Sequence, residues 1–115
     1  MDNNLDDLID IAIDNWSLCK LLAKAIGKLD EKDKRQYESQ LKFFKKTYED
    51  RLKKHKIELK ILENNELYEP GMPVFPINIS SFGAGSKLFI EDFIKPIVLQ
   101  DGNVLRDGKA ILRGK

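Results

Sequence analysis

Apolar residues recur at three- and four-residue steps from Asn4 to Gly27: Leu5, Leu8, Ala12, Trp16, Cys19, Leu22 or Ala23, and Ile26. That period predicts an amphipathic helix. Asn3 or Asn4 can cap its start, Asp6 and Asp7 suit the positive end of the helix dipole, and Gly27 with Lys24 and Lys28 marks the stop. Ile9, Ile11, Ile13, Leu18 and Leu21 fall outside this stripe. A helix apolar nearly all round is enclosed on more than one side. In so short a chain the second side falls to another copy, so the pattern predicts a homodimer built on a four-helix bundle.

Asp30 restarts the pattern, with Glu31 and Asp33 as first-turn acids and a capping-box-like spacing from Asp30 to Asp33. Tyr37, Leu41, Phe44, Tyr48 and Leu52 follow at steps of four, three, four and four, a narrow seam set among charges. A helix from Glu31 to about His55 spans roughly 37 Å at 1.5 Å per residue. Leu8, Ala12, Trp16, Leu22, Leu41 and Phe44 are the expected dimer-interface residues.

The period changes after His55. Ile57, Leu59 and Ile61 alternate with Lys56, Glu58 and Lys60, as in a half-buried strand, although Leu52, His55, Leu59 and Leu62 also fit a continuing helix. Asn64-Asn65 signals a turn. In Glu69-Pro70-Gly71-Met72-Pro73 the prolines lack backbone donors and the glycine permits a left-handed turn, which predicts a fixed loop. Short strands are expected over 74–79, 87–90, 94–99, 104–106 and 110–113, with Glu91 to Phe93 a bulge or a single helical turn. Pro96 demotes its strand to an edge or a bulge. Asp101-Gly102-Asn103 and Asp107-Gly108 are hairpin signals. The expected fold class is α+β: a helical dimerisation region at 1–55, then a small all-β domain at 56–115, sandwich-like or barrel-like.

Composition narrows the functional classes. Hydrophobic residues make up 42% of the 115, enough for a folded core. No apolar run approaches the ~18 residues of a membrane span, and no signal-peptide pattern opens the chain. A single cysteine, Cys19, makes no internal disulfide, and a reducing cytoplasm is the default location. Net charge is +1, but residues 20–60 carry fourteen Lys or Arg against seven acids. These bases are interleaved with acids at helical spacing, as in Glu49 and Lys53, and no nucleic-acid motif accompanies them; a solvated face is favoured over nucleic-acid binding.

Catalytic chemistry finds little support. His55 is the only histidine and has no nucleophile or carboxylate at a useful spacing, and Cys19 lies on an apolar helix face. Gly83-Ala84-Gly85-Ser86-Lys87 lacks the spacer and ending of a phosphate loop and precedes no helix. Lys95 before Pro96 is a poor fit to a lipoyl-type carrier lysine. No cofactor or metal is expected, and the chain reads as a non-enzyme. The β region carries more aromatic and Met side chains than so small a core can bury. Tyr68, Met72 and Phe93 are the expected partner-facing patch.

The run LKKHKIELKILENNELYEPGMPV resembles the helix-to-strand junction of GrpE-type nucleotide exchange factors, where a Phe-Asp-Pro-like motif opens the β domain; here it reads Tyr68-Glu69-Pro70. The tail DGNVLRDGKAIL is similar to that family's last hairpin, Gly-x-x-Leu-Arg-Pro-Ala-x-Val-x-Val, at Gly102, Leu105, Arg106, Ala110 and Leu112. The resemblance spans about residues 50–115. Gly71-Met72-Pro73-Val74 stands where the family has a histidine-containing stretch, Asp107-Gly108 replaces Pro-Ala, and the long N-terminal helix is missing. The resemblance implies a dimeric co-chaperone that binds the ATPase domain of a DnaK-type chaperone and promotes ADP release. It implies partner contacts at Tyr68, Pro70 and Leu112 and in the loop near 90–94, with Arg106 bracing the hairpin. The alternative is a dimeric adaptor for another protein, or for nucleic acid through the basic second helix.

Overall fold

The computed structural model describes residues 3–63 and 65–114; Asn64 of the turn signal lies outside them. The fold is α+β, with two helices followed by two small sheets. The chain divides into two compact units, Met1–Lys56 and Ile57–Lys115.

In the first unit, α1 (Asn3–Ile26) and α2 (Glu31–Lys53) pack together across a short turn. Asp30 caps α2 as its sequence position foretells: its carboxylate accepts from the Asp33 N–H at 3.0 Å. Ile9, Ala12, Ile13, Cys19 and Ile26 of α1 are buried, as are Tyr48 and Leu52 of α2. Ile9 and Ile13 therefore belong to the buried face of α1. Leu22 and Ala23, the alternatives expected at one position of the predicted stripe, both stand exposed. α2 ends at Lys53, and Lys56, at φ 60°, turns the chain out of the helix.

In the second unit β1 (Ile57–Lys60) pairs antiparallel with β4 (Ile97–Gln100), which pairs with β5 (Asn103–Arg106). The strand reading of 57–60 thus prevails over the continuing helix. Ile61 lies beyond the strand and is exposed. Asp101 and Gly102 both have positive φ, 51° and 80°, and close the β4–β5 hairpin with the backbone a two-residue turn demands. The second sheet has β6 (Gly108–Gly114) at its centre, with β2 (Val74–Pro76) parallel on one side and β3 (Leu88–Lys95) antiparallel on the other. β3 is one strand of eight residues with register shifts at Glu91 and Ile94, so the irregularity expected near 91–93 is a bulge and not a helical turn.

Of the three passages between the sheets, the first is the long 61–73 connection from β1 to β2, and the other two are abrupt crossings at Pro96 (β3 to β4) and at Asp107 (β5 to β6). Pro96 is buried between two strands, where its missing N–H removes no ladder bond. Asp107-Gly108 is not a hairpin, because β5 and β6 belong to different sheets. A Cβ on Gly108 would lie 2.9 Å from Phe93 Cε2, 3.0 Å from the Lys95 carbonyl oxygen and 3.1 Å from Ile97 Cγ1. The two crossings press against each other there, and only glycine leaves room.

β2 is too short to cover β6 along its length. Past its end Asn78 takes over: its side-chain N–H donates to the Leu112 carbonyl at 2.8 Å and its Oδ1 accepts from the Leu112 N–H at 2.9 Å. One amide side chain thereby does the work of another strand residue and satisfies backbone groups that would be costly to leave unpaired.

Candidate partner-binding surfaces

The Tyr-Glu-Pro loop is tied down at both ends. Residues 65–68 lie along the free edge of β3: the Asn65 N–H donates to the Ile90 carbonyl (2.7 Å), the Ile90 N–H to the Glu66 carbonyl (2.8 Å) and the Tyr68 N–H to the Leu88 carbonyl (2.8 Å). At the other end the Gly108 N–H donates to the Pro73 carbonyl at 3.0 Å, beside β2. In between, Glu69-Pro70-Gly71-Met72 forms a turn with Gly71 at φ 97° and a Met72 N–H to Glu69 carbonyl bond of 3.2 Å. Proline fixes the second position and glycine supplies the positive φ at the third, as a type II turn requires. The Met72 sulfur accepts from the Glu69 N–H at 3.1 Å, holding its side chain back against the turn. Pro70 and Glu69 are exposed, while Tyr68 and Met72 are half-buried.

Two of the expected contact residues are placed elsewhere. Phe93 and Leu112 are each 2% exposed and belong to the core of the β unit. The strand period explains both. On β6, Gly108, Ala110 and Leu112 face inward, so Lys109, Ile111 and Arg113 face outward. On β3 the bulge at Glu91 shifts the alternation by one residue, which turns Phe93 inward with Leu88 and Ile90. The expectation that so small a core leaves Phe93 outside fails because the bulge aims its ring inward.

The outer face of this sheet carries a surface that the sequence reading passed over. Phe75 of β2, 58% exposed, stands across from Lys109, and Lys109 across from Lys95. Further along, Ile111 pairs with Asp92 and Arg113 with Phe89. The Arg113 guanidinium lies over the Phe89 ring, 5.2 Å from its centroid, and donates to Asn65 Oδ1 through Nε (3.2 Å) and Nη2, and to the Gly114 carbonyl. This face joins exposed aromatic and aliphatic surface to three cations against one carboxylate. The signal in the sequence is the alternation KAILR itself, whose i, i+2 members share one face.

The helical unit presents two grooves of opposite character. One, of about 470 Å³, is lined by Ala23, Glu38, Leu41, Lys42, Lys45, Lys46 and Glu49. The other, of about 370 Å³, is lined by Leu18, Leu22, Ile26, Tyr37, Gln40, Leu41 and Phe44 and holds no charged residue. Of the residues expected at a dimer interface, Leu22 and Phe44 are exposed, and Leu8, Trp16 and Leu41 are half-buried. Ala12, at 2% exposure, is buried within the single chain and has no surface left for a partner. Ile11, Leu18 and Phe43 are exposed instead.

Cys19 is a buried thiol whose pKa is pushed up by burial and by Glu49, with Lys45 opposing, which is the opposite of an activated nucleophile. Burial also pushes the Tyr48 phenol up to about 12, helped by Cys19 and Glu49. The folded chain therefore keeps a proton that an unfolded tyrosine releases near pH 10. Stability is expected to fall as pH rises from about 10 to about 12 and to stop falling on this account above that. Tyr48→Phe should abolish that part of the alkaline decline, together with the tyrosinate absorbance step near pH 12. A native chain with no late tyrosinate step would refute this assignment. Among the described residues no cluster of His, Cys, Asp and Glu is placed to hold a metal, and no helix is long and apolar enough to cross a membrane.

No protein-family model, curated protein or solved structure matches this chain.

Proposed function

We propose that the chain is a binding module without catalytic chemistry, whose β unit docks on a partner through the tethered Tyr68–Pro73 loop and the outer face of the β2–β6–β3 sheet. More particularly, we read it as a GrpE-like co-chaperone for the ATPase domain of a DnaK-type chaperone. The observation that carries this reading is the loop itself. An aromatic-acid-proline turn is held by main-chain bonds at both ends and offers Glu69 and Pro70 to solvent. Loss of conformational freedom on binding is small for a segment already fixed, so such a loop is suited to recognition. The resemblance of the 50–115 region to exchange factors supplies the partner class.

The implied mechanism is population shift. A module that binds the open nucleotide cleft more tightly than the closed one raises the open fraction and speeds ADP loss. By linkage, ATP that favours the closed form then expels the module. With the inward placement of Leu112, contacts from the last strand fall to Lys109 and Ile111.

The test is release of a fluorescent ADP analogue from DnaK-type ATPase domains at micromolar protein. Acceleration of tenfold or more is expected, falling at least tenfold in a Glu69→Ala, Pro70→Ala double variant and in Phe75→Ala. All three side chains are exposed, so the fold should survive their loss. No acceleration across candidate chaperones would sink the exchange reading. Binding of an acidic protein partner that is lost in Lys95→Glu and Lys109→Glu would replace it with the adaptor reading, which the three cations of this sheet face favour.

A further inference from the structure

We infer that the outer face of the β2–β6–β3 sheet holds a single strand of nucleic acid, with a phosphate between Lys95 and Lys109 and a base on Phe75. Such binding goes beyond the chaperone reading and does not depend on it. Lys95 of β3 and Lys109 of β6 stand directly opposite each other, and both are exposed. Among the described residues neither ammonium has an ion-pair partner. Opposite residues have Cβ atoms ~5 Å apart, and like charges at that spacing destabilise a sheet. An anion laid between the two lysines removes the repulsion. Phe75 of β2 stands on the other side of Lys109 in the same cross-strand row, 58% exposed. Four residues further along β6, about 13 Å away, Arg113 lies over the Phe89 ring at 5.2 Å from its centroid. Asn65 and the Gly114 carbonyl hold the guanidinium by its edge. A guanidinium plane is itself a platform on which a base stacks. Cation and ring thus occur together twice on one face.

The pairing of cation with ring selects the occupant. Every nucleotide carries both a phosphate and a flat base, the two things this face provides for. An acidic peptide supplies carboxylates for the lysines but no ring to stack on Phe75. A duplex keeps its base faces inside its own stack, and its major groove admits a helix or a two-stranded ribbon, not a sheet face. A single strand leaves its base faces open. Stacking on an aromatic side chain is worth about five- to hundredfold in affinity per base. The nearby acids, Asp92 opposite Ile111 and Glu91 in the bulge beside it, keep to the β3 side. They steer the phosphates onto β6 between the two platforms.

The experiment is fluorescence anisotropy of labelled oligocytidylate, about twelve nucleotides long, titrated with the full chain. RNA and DNA are run as separate arms, and the tighter arm names the strand this face takes. Binding is expected with a Kd of about 1–100 µM, near the sequence-independent range at physiological salt. Phe75→Ala should weaken it about tenfold with amide protection across 88–114 unchanged, and Phe75→Trp should retain it. Lys109→Gln should lower the slope of log K against log salt by about 0.7, the loss of one phosphate contact on a single strand. Lys45→Gln, on the second helix, should leave binding within about twofold. No anisotropy change at 200 µM chain in 50 mM salt would overturn the inference. So would binding indifferent to Phe75→Ala, or binding lost in Lys45→Gln, which places the contact on α2. Polyglutamate that displaces the labelled strand as well as unlabelled strand does would overturn it in favour of an acidic protein segment. ADP release plays no part in these measurements, so failure here leaves the chaperone reading standing, and failure there leaves this one.

Discussion

Phe93→Ala is expected to cost the β unit about 3–5 kcal/mol, the range for removing a buried aromatic ring from a core that cannot close over the gap. Phe93 is 2% exposed, and its ring edge lies where a Cβ on Gly108 would fall, at 2.9 Å. It fills the place where the two sheet crossings meet. A unit of this size holds little more stability than that, since small domains bury a small share of their surface. The variant should therefore lose amide protection throughout 88–114 in hydrogen exchange read by mass spectrometry, with Trp16 fluorescence following α1 separately. A surface role for Phe93 requires the opposite result: full protection with partner binding lost. The same measurement on Phe75→Ala should show native protection, because that ring stands mostly in water.

The contrast between Phe93 and Phe75 shows where the sequence was legible. Helices with strong three-four spacing, the Asp30 cap and the Asp101-Gly102 turn are written in local residue chemistry, and each stands where that chemistry puts it. The face of a residue within an element is less local. On α1 large aliphatics surround the helix, so periodicity alone did not separate the buried Ile9 and Ile13 from the exposed Leu22. On β3 one bulge residue reversed the alternation and carried Phe93 from the expected surface into the core. Division of the strands into two sheets depends on pairings far apart in sequence, such as Val74 with Gly108, which no short window contains.

These errors share a physical cause. A residue's type fixes the cost of exposing it, but topology decides which neighbours are available to cover it. The outer sheet face, with Phe75 58% exposed, and the groove lined by Leu18, Leu22, Tyr37 and Phe44 are two places where apolar side chains stand uncovered within the chain. In the β unit the surplus stands beside Lys95, Lys109 and Arg113; the residues lining the apolar groove of the helical unit include no charged one.

Gly108 separates a glycine kept for its backbone from one kept for its lack of a side chain, and a single substitution made twice reveals which is which. Gly102→Asn is expected to be nearly neutral: φ is 80°, nothing lies within 4 Å of the added Cβ, and asparagine tolerates the left-handed region of a two-residue hairpin turn. Gly108→Asn is expected to cost about 3 kcal/mol or more. Over-packing of a filled site costs about 1–3 kcal/mol, and a buried amide without partners adds about 1–3 kcal/mol. The clash cannot be relieved cheaply, because one of the three close atoms is the Lys95 carbonyl oxygen, part of the backbone of the other crossing. If Asp107-Gly108 were a hairpin turn, asparagine there would be as harmless as at 102. Hydrogen exchange across 108–114 decides between them: equal protection in the two variants would mean that the sheet crossings do not meet at Gly108. Loss confined to the Gly108 variant would place the tightest contact of the β unit at that residue.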